Sequence, residues 1–161
     1  MYRRSIICLG LLLIIAGFYV KATEPVHDGL VKLRISNFKD DKAGAVSYTF
    51  DDGLRNQYLI AAPIMEKLQI PGTFFIIPGQ VSATLQEAEA KKPGAWGGVT
   101  WDEIRTLVAK GFEIGNHGYN HKNLVPQVKE PEELENEIEN SADIIRRETG
   151  IFPVSFCYPY N

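Results

Sequence analysis

The sequence predicts an α/β domain built on parallel strands. Three observations carry that expectation. Short β-branched and aromatic runs alternate with longer segments whose apolar residues recur at helical spacing. One of those runs, 72–77, is a short, largely apolar run with Phe74, Phe75, Ile76 and Ile77 in succession, as in a buried strand. Polar motifs follow the first, third and last runs, at the strand ends where parallel folds gather their sites.

The chain opens with Arg3 and Arg4, an uncharged and mostly apolar run over 6–20, and Val20-Lys21-Ala22. This is the pattern of a secretory signal peptide over 1–22, with cleavage after Ala22. As a helix the apolar run would reach about 22 Å, short of the roughly 30 Å hydrocarbon core, so no stable membrane span is expected after cleavage. The protein is therefore expected to be secreted or periplasmic. Residues 23–44 are polar and mixed, a lead-in with room for one short strand at 31–35. Residues 45–50 then read as a strand closed by Asp51-Asp52-Gly53. Tyr58, Leu59, Ala62, Met65 and Leu68 predict a helix over 56–69, started or kinked by Pro63.

Residues 78–99 form a long connection rich in Gly and Pro, with two helical turns expected at 85–91. Thr100 and Glu103 make a capping box for a helix over 101–110, stopped by Gly111. Residues 112–115 are the next strand. The helix over 132–148 carries an apolar stripe of Leu134, Ile138, Ala142 and Ile145, with Pro131 at its start and Gly150 at its end. Its acidic first turn and Arg146-Arg147 suit the helix dipole. Residues 154–157 are expected as a final strand.

Composition narrows the function classes. With 17 Lys plus Arg against 20 Asp plus Glu, the formal charge is −3, which argues against a nucleic-acid partner. A chain that is 45% hydrophobic and 23% charged is ordinary globular protein, neither collagenous nor disordered. Two cysteines cannot make a disulfide scaffold, and Cys8 lies inside the expected signal segment. Export would leave Cys157 without a partner in the chain.

Two motifs carry chemistry. Adjacent carboxylates at a strand end, Asp51 and Asp52, point in different directions, so one can hold a cation while the other acts as base. A solvated Asp-Gly turn is the plainer reading of that pair alone. His117-Gly118-Tyr119-Asn120-His121 places two imidazoles at i and i+4, in a loop by its Gly and Asn content. Taken alone, two surface histidines are the alternative reading, and a shared cation site is the favoured one. Together, one carboxylate and two imidazoles are a common catalytic zinc set with a position left open. Cys157 adds a variant with a thiolate ligand, although beside aromatics in a strand it reads first as a small buried hydrophobe.

These residues resemble a family. Thr49-Phe50-Asp51-Asp52-Gly53, His117-Gly118-Tyr119-Asn120-His121 and Tyr158-Pro159-Tyr160 stand in the order and approximate spacing of polysaccharide deacetylases, the chitin-deacetylase-like carbohydrate esterases of family four. Gly72-Thr73-Phe74-Phe75 is similar to that family's second strand. The resemblance covers about 45–161. It implies a distorted (β/α) barrel, here cut short after about four main strands. It implies Asp51 as general base, a divalent metal, usually Zn2+, on Asp52, His117 and His121, and the Tyr160 backbone N–H as oxyanion donor. The implied reaction is hydrolysis of acetyl groups on an N- or O-acetylated polysaccharide, with the metal as Lewis acid.

Three departures accompany the resemblance. Gly118 replaces the usual Ser or Thr, and Cys157 stands where many members carry an Arg that pairs with the base. The family's later Asp/Trp motif and its general-acid His lie beyond Asn161, and His27, the one spare histidine, precedes the first motif. Two other classes stay open at this stage: a non-catalytic glycan-binding relative that keeps the metal residues, and an exported α/β domain with neither metal nor ligand. Trp96, Trp101, Tyr119 and Tyr160 are the aromatics able to stack on sugar rings.

Overall fold

A computed structural model describes residues 38–91 and 97–160. The expected signal peptide, the strand at 31–35, His27 and Trp96 lie outside the described residues. The chain divides into two units, Met1–Ala45 and Val46–Asn161. The described part of the first holds one short 3-10 turn, Lys39–Asp41. Everything below concerns the second.

Three strands form one parallel sheet: β1, Thr49–Phe50; β2, Thr73–Ile76; and β3, Glu113–Asn116. Their order in the sheet is their order in the sequence. The register pairs Phe50 with Phe74 and Phe74 with Ile114, so one apolar row crosses the sheet. In that row Phe50 stacks on Phe74 at 4.9 Å between ring centroids, and Phe112 meets Phe74 edge-on at 5.3 Å. Ile104, Leu107 and Ile145 close the core from the helical side, each at most 1% exposed.

The parallel α/β expectation holds, with changes at the margins. The strand read over 45–50 shrinks to Thr49–Phe50, because Val46 is 78% exposed and the pairing to β2 begins only where Thr73 N–H meets the Tyr48 carbonyl at 3.0 Å. The strand read over 154–157 is a single bridge from Phe156 to Asn116. Prolines at 153 and 159 flank it and supply no N–H, and Val154 is 87% exposed.

The helices follow their sequence signals closely, with two local insertions. The helix at 56–69 begins as a π-helical turn, Gln57–Ala61, and becomes α-helical as α1, Ala62–Leu68. Pro63 explains the change: it has no N–H to give to Leu59 and its ring crowds that carbonyl, so the turn widens ahead of it. The expected pair of turns is α2, Leu85–Lys91. Helix α3, Trp101–Ala109, has the full capping box, with Thr100 Oγ accepting from Glu103 N–H and Glu103 accepting from Thr100 N–H. A four-residue helix, α4 at Leu124–Gln127, had no periodic signal because it is one turn long.

The helix read as continuous over 132–148 is α5, Pro131–Glu135, then a π-helical turn, Asn136–Asn140, then α6, Ser141–Thr149. The inserted turn changes the phase of the buried stripe. Leu134, expected inside, is 42% exposed, while Glu137, Ser141 and Ile145 are at most 1% exposed. Gly150 ends α6 with a left-handed φ of 82°, as its position predicted.

Candidate functional site

Two loops leave the same end of the sheet and meet. The first follows β1. Asp52 (φ 72°) and Gly53 (φ 59°) both take left-handed backbone and turn the chain sharply. Glycine suits position 53, where the φ is left-handed and an added Cβ would crowd Ile76 Cδ1 at 3.2 Å. Val99 N–H on the Gly53 carbonyl (3.0 Å) and Arg55 N–H on the Gly97 carbonyl (2.7 Å) pin this loop to the long connection. Arg55 then reaches Glu103 at 2.9 Å and also pairs with Glu89. The hydrogen bond that Arg55 donates to Glu103 is the main reason its guanidinium pKa lies above the ordinary value.

The second loop follows β3. Asn116 ends the strand and is 3% exposed, with every polar group of its side chain used. Its Oδ1 accepts from Gly118 N–H at 3.0 Å and from Ser141 Oγ–H at 2.7 Å, and its Nδ2 donates to the Ile138 carbonyl at 2.9 Å. His117 is 3% exposed. Its Nδ1 lies 2.8 Å from the Cys157 carbonyl, which can only accept. The proton therefore sits on Nδ1, and the Nε2 lone pair faces the site. Gly118 takes φ 78°, and a Cβ there would stand 3.0 Å from Glu137 Oε2. The departure from Ser or Thr at this position thus has a local reason.

Glu137 is the residue that the sequence reading missed. It is 1% exposed and accepts from Asn120 N–H at 2.9 Å and from Asn120 Nδ2–H at 3.2 Å. It thereby fixes the residue just before His121, whose own φ is 58°. The available signal was a Glu137–Ser141–Ile145 spacing on a helix face.

The structure brings Asp52, His117 and His121 together. Asp52 Oδ1 is 3.5 Å from His117 Nε2 and 3.2 Å from His121 Nε2. A tetrahedral zinc with bonds of ~2.0–2.2 Å holds neighbouring N and O donors about 3.3–3.5 Å apart, which both Asp52–His distances match, and all three donors lie within 4.8 Å of one another. Asp51 lies beside them and is exposed. A donor atom of Asp51 falls within 4.8 Å of donors on His117 and Cys157. Gln57 Nε2 donates to the Asp51 carbonyl at 2.5 Å and ties the motif to the helix after it.

Cys157 is partly exposed rather than buried, which corrects its reading as a core hydrophobe. Partial burial, then the negative charges of Asp51 and Asp52, push its thiol pKa up. Tyr160 also joins the site. Its ring centroid lies 4.6 Å from that of His121, and its φ is 59°. Trp101 packs against the core, and Tyr160 is exposed beside His121.

Known proteins resemble this chain in sequence and fold. A family model described as polysaccharide deacetylase matches residues 38–161. The deacetylase PplD of Streptococcus pyogenes, solved in complex with acetate, superposes with a TM-score of 0.59 at 24% identity, over 74% of this chain and 49% of that one. IcaB from Ammonifex degensii superposes with a TM-score of 0.58 at 27% identity, over 71% of this chain and 50% of that one. A gellan lyase of a Bacillus species is 25% identical over 126 residues, which is 78% of this chain and 4% of that protein. The chain thus spans about half the length of these solved relatives. The family match runs through the Asp-Asp-Gly turn, the paired histidines and the final Tyr-Pro-Tyr, and the chain belongs to the polysaccharide deacetylase family.

Proposed function

We propose that this chain carries the metal-binding and base residues of a hydrolase that removes acetyl groups from N- or O-acetylated polysaccharide. The observation that supports it most is the convergence of Asp52, His117 and His121 at zinc-like donor spacings of 3.2 and 3.5 Å. In this reading the resident ion is Zn2+. A bound zinc supplies Lewis acidity toward the acetyl carbonyl and toward water. The protein's own groups do the rest. Asp51, exposed and next to the ligand Asp52, takes the proton from the attacking water. His117, with its proton held on Nδ1 by the Cys157 carbonyl, keeps Nε2 free for the metal. The Tyr160 backbone N–H is assigned to the developing oxyanion. Export, which the pattern over 1–22 supports, would place this activity where acetylated polysaccharide lies.

Metal content and acetate release test the assignment together. A folded preparation is expected to hold about one zinc per chain, lost in Asp52→Ala and His117→Ala and kept in Asp51→Asn. On acetylated oligosaccharide, Asp51→Asn in a family domain carrying these residues is expected to lose about 10²–10⁴-fold in turnover while staying loaded. Zinc binding in His117→Ala and His121→Ala equal to the parent's would remove the ligand assignment. Equal metal loss in Asp51→Asn and Asp52→Asn would show that base and ligand are exchanged or shared.

A further inference from the structure

We propose that Asp51, His117 and Cys157 form a second cation position, overlapping the first, that takes a soft divalent ion such as Cd2+ through the cysteine sulfur. The proposal rests on the reading above only through His117, which both sets share. Donor atoms of the three residues lie within 4.8 Å of one another, as do those of Asp52, His117 and His121. The two sets differ in character. The first offers oxygen and nitrogen only, whereas the second adds a thiol, and thiolate ligands select soft cations.

The local structure prepares this position. Cys157 holds His117 with its own carbonyl at 2.8 Å, so the residue that carries the sulfur also orients the imidazole. With Nδ1 engaged there, one nitrogen, Nε2, is left for either ion, and the two positions fill one at a time. Cys157 is partly exposed and Asp51 is exposed, so an ion can reach both from solvent. Binding breaks the S–H bond, forms an S–metal bond and releases the proton to solvent, with no change of oxidation state. A soft ion seated there would also engage Asp51, the proposed base.

The test uses the full 161-residue chain, freed of metal by chelation and titrated with Cd2+ alone. The expected result is the ultraviolet absorption of sulfur-to-cadmium charge transfer, saturating at about one ion per chain, together with proton release in weak buffer. Cys157→Ser is expected to lose the band and at least about tenfold in Cd2+ affinity, the minimum for removing a direct ligand, while keeping zinc. Asp52→Ala is expected to keep the band while losing zinc, which separates this position from the first. Protection of Cys157 from iodoacetamide by Cd2+ checks the same contact in the unmutated chain. Absence of the band, or a band undiminished in Cys157→Ser and so owed to Cys8, would overturn the proposal. A band that survives where zinc binding proves independent of His121 would leave this position standing and remove the other.

Discussion

Three of the residues that meet at the site, Asp52, His121 and Tyr160, hold left-handed backbone with φ of 72°, 58° and 59°. Each such non-glycine conformation costs of order 1–3 kcal/mol and persists only where its surroundings over-determine it. For His121 the surroundings are explicit. Glu137 holds Asn120 by both its backbone and its side chain, and Asn116 holds Gly118 and α6. Glu137→Gln keeps the size but sets an amide NH2 against donors, so one of the two bonds to Asn120 is lost. Zinc affinity is expected to fall about 10–100-fold, the usual effect of disturbing a residue that supports a ligand. Calorimetric titration measures this, and far-UV circular dichroism should show an unchanged fold. A parent-like affinity would mean that the His loop holds its shape without Glu137. At this scale the sequence displayed the groups that do chemistry, because two carboxylates at a strand end and two imidazoles in one pentapeptide are visible as composition. It did not display Glu137, whose direction depends on the helical phase rather than on its own identity.

That phase is a matter of elements. Helix α3 was legible to its ends, because Thr100 and Glu103 announce the cap in the sequence and both bonds form. Thr100 is 2% exposed and is the N-cap of a helix that supplies Ile104 and Leu107 to the core. Thr100→Ala is therefore expected to lower stability by about 1 kcal/mol, within the 0.5–2 kcal/mol range for losing such a cap. Urea unfolding should show a shifted midpoint with an unchanged slope. A shift indistinguishable from zero would mean that Glu103 caps the helix through Thr100 N–H alone. The π-helical turns were not legible. Each adds a residue to a turn, and periodicity counted at 3.6 assumes that none is added. Before Pro63 the cause stands in the sequence. At Asn136–Asn140 no proline is present, and the wider turn accompanies the inward turn of Glu137 and Ser141 toward the His loop. Leu134 is exposed and Ile138 only half-buried for this reason, while Ala142 and Ile145, beyond the insertion, packed as expected.

At the scale of the folded unit, Val46–Asn161, strands that run in sequence order across a parallel sheet, β1-β2-β3 and then the bridge at Phe156, follow the winding of a (β/α) barrel. A doubly wound sheet instead reverses its order. The sequence showed parallel strands, and the order came only with the pairing, since no local pattern records which strand is whose neighbour. The winding leaves apolar groups at both margins of the sheet. Phe152, Val154 and Tyr158 are 56%, 87% and 62% exposed along the last segment, and Val46 and Tyr48 are 78% and 48% exposed before β1. Apolar residues beside a short, barely paired strand are a recognised route to association, and a charged side chain at the edge opposes it. The chain expressed by itself is expected to self-associate in a concentration-dependent way. Val154→Lys should reduce this without affecting zinc, because residue 154 lies outside the Asp52–His117–His121 set. Light scattering across a dilution series, with metal content measured on the same samples, tests both parts. Monodisperse parent protein at all concentrations would show that these exposed groups are harmless as they stand. Association unchanged by Val154→Lys would move its origin to the β1 margin, where Val46→Lys is the corresponding substitution.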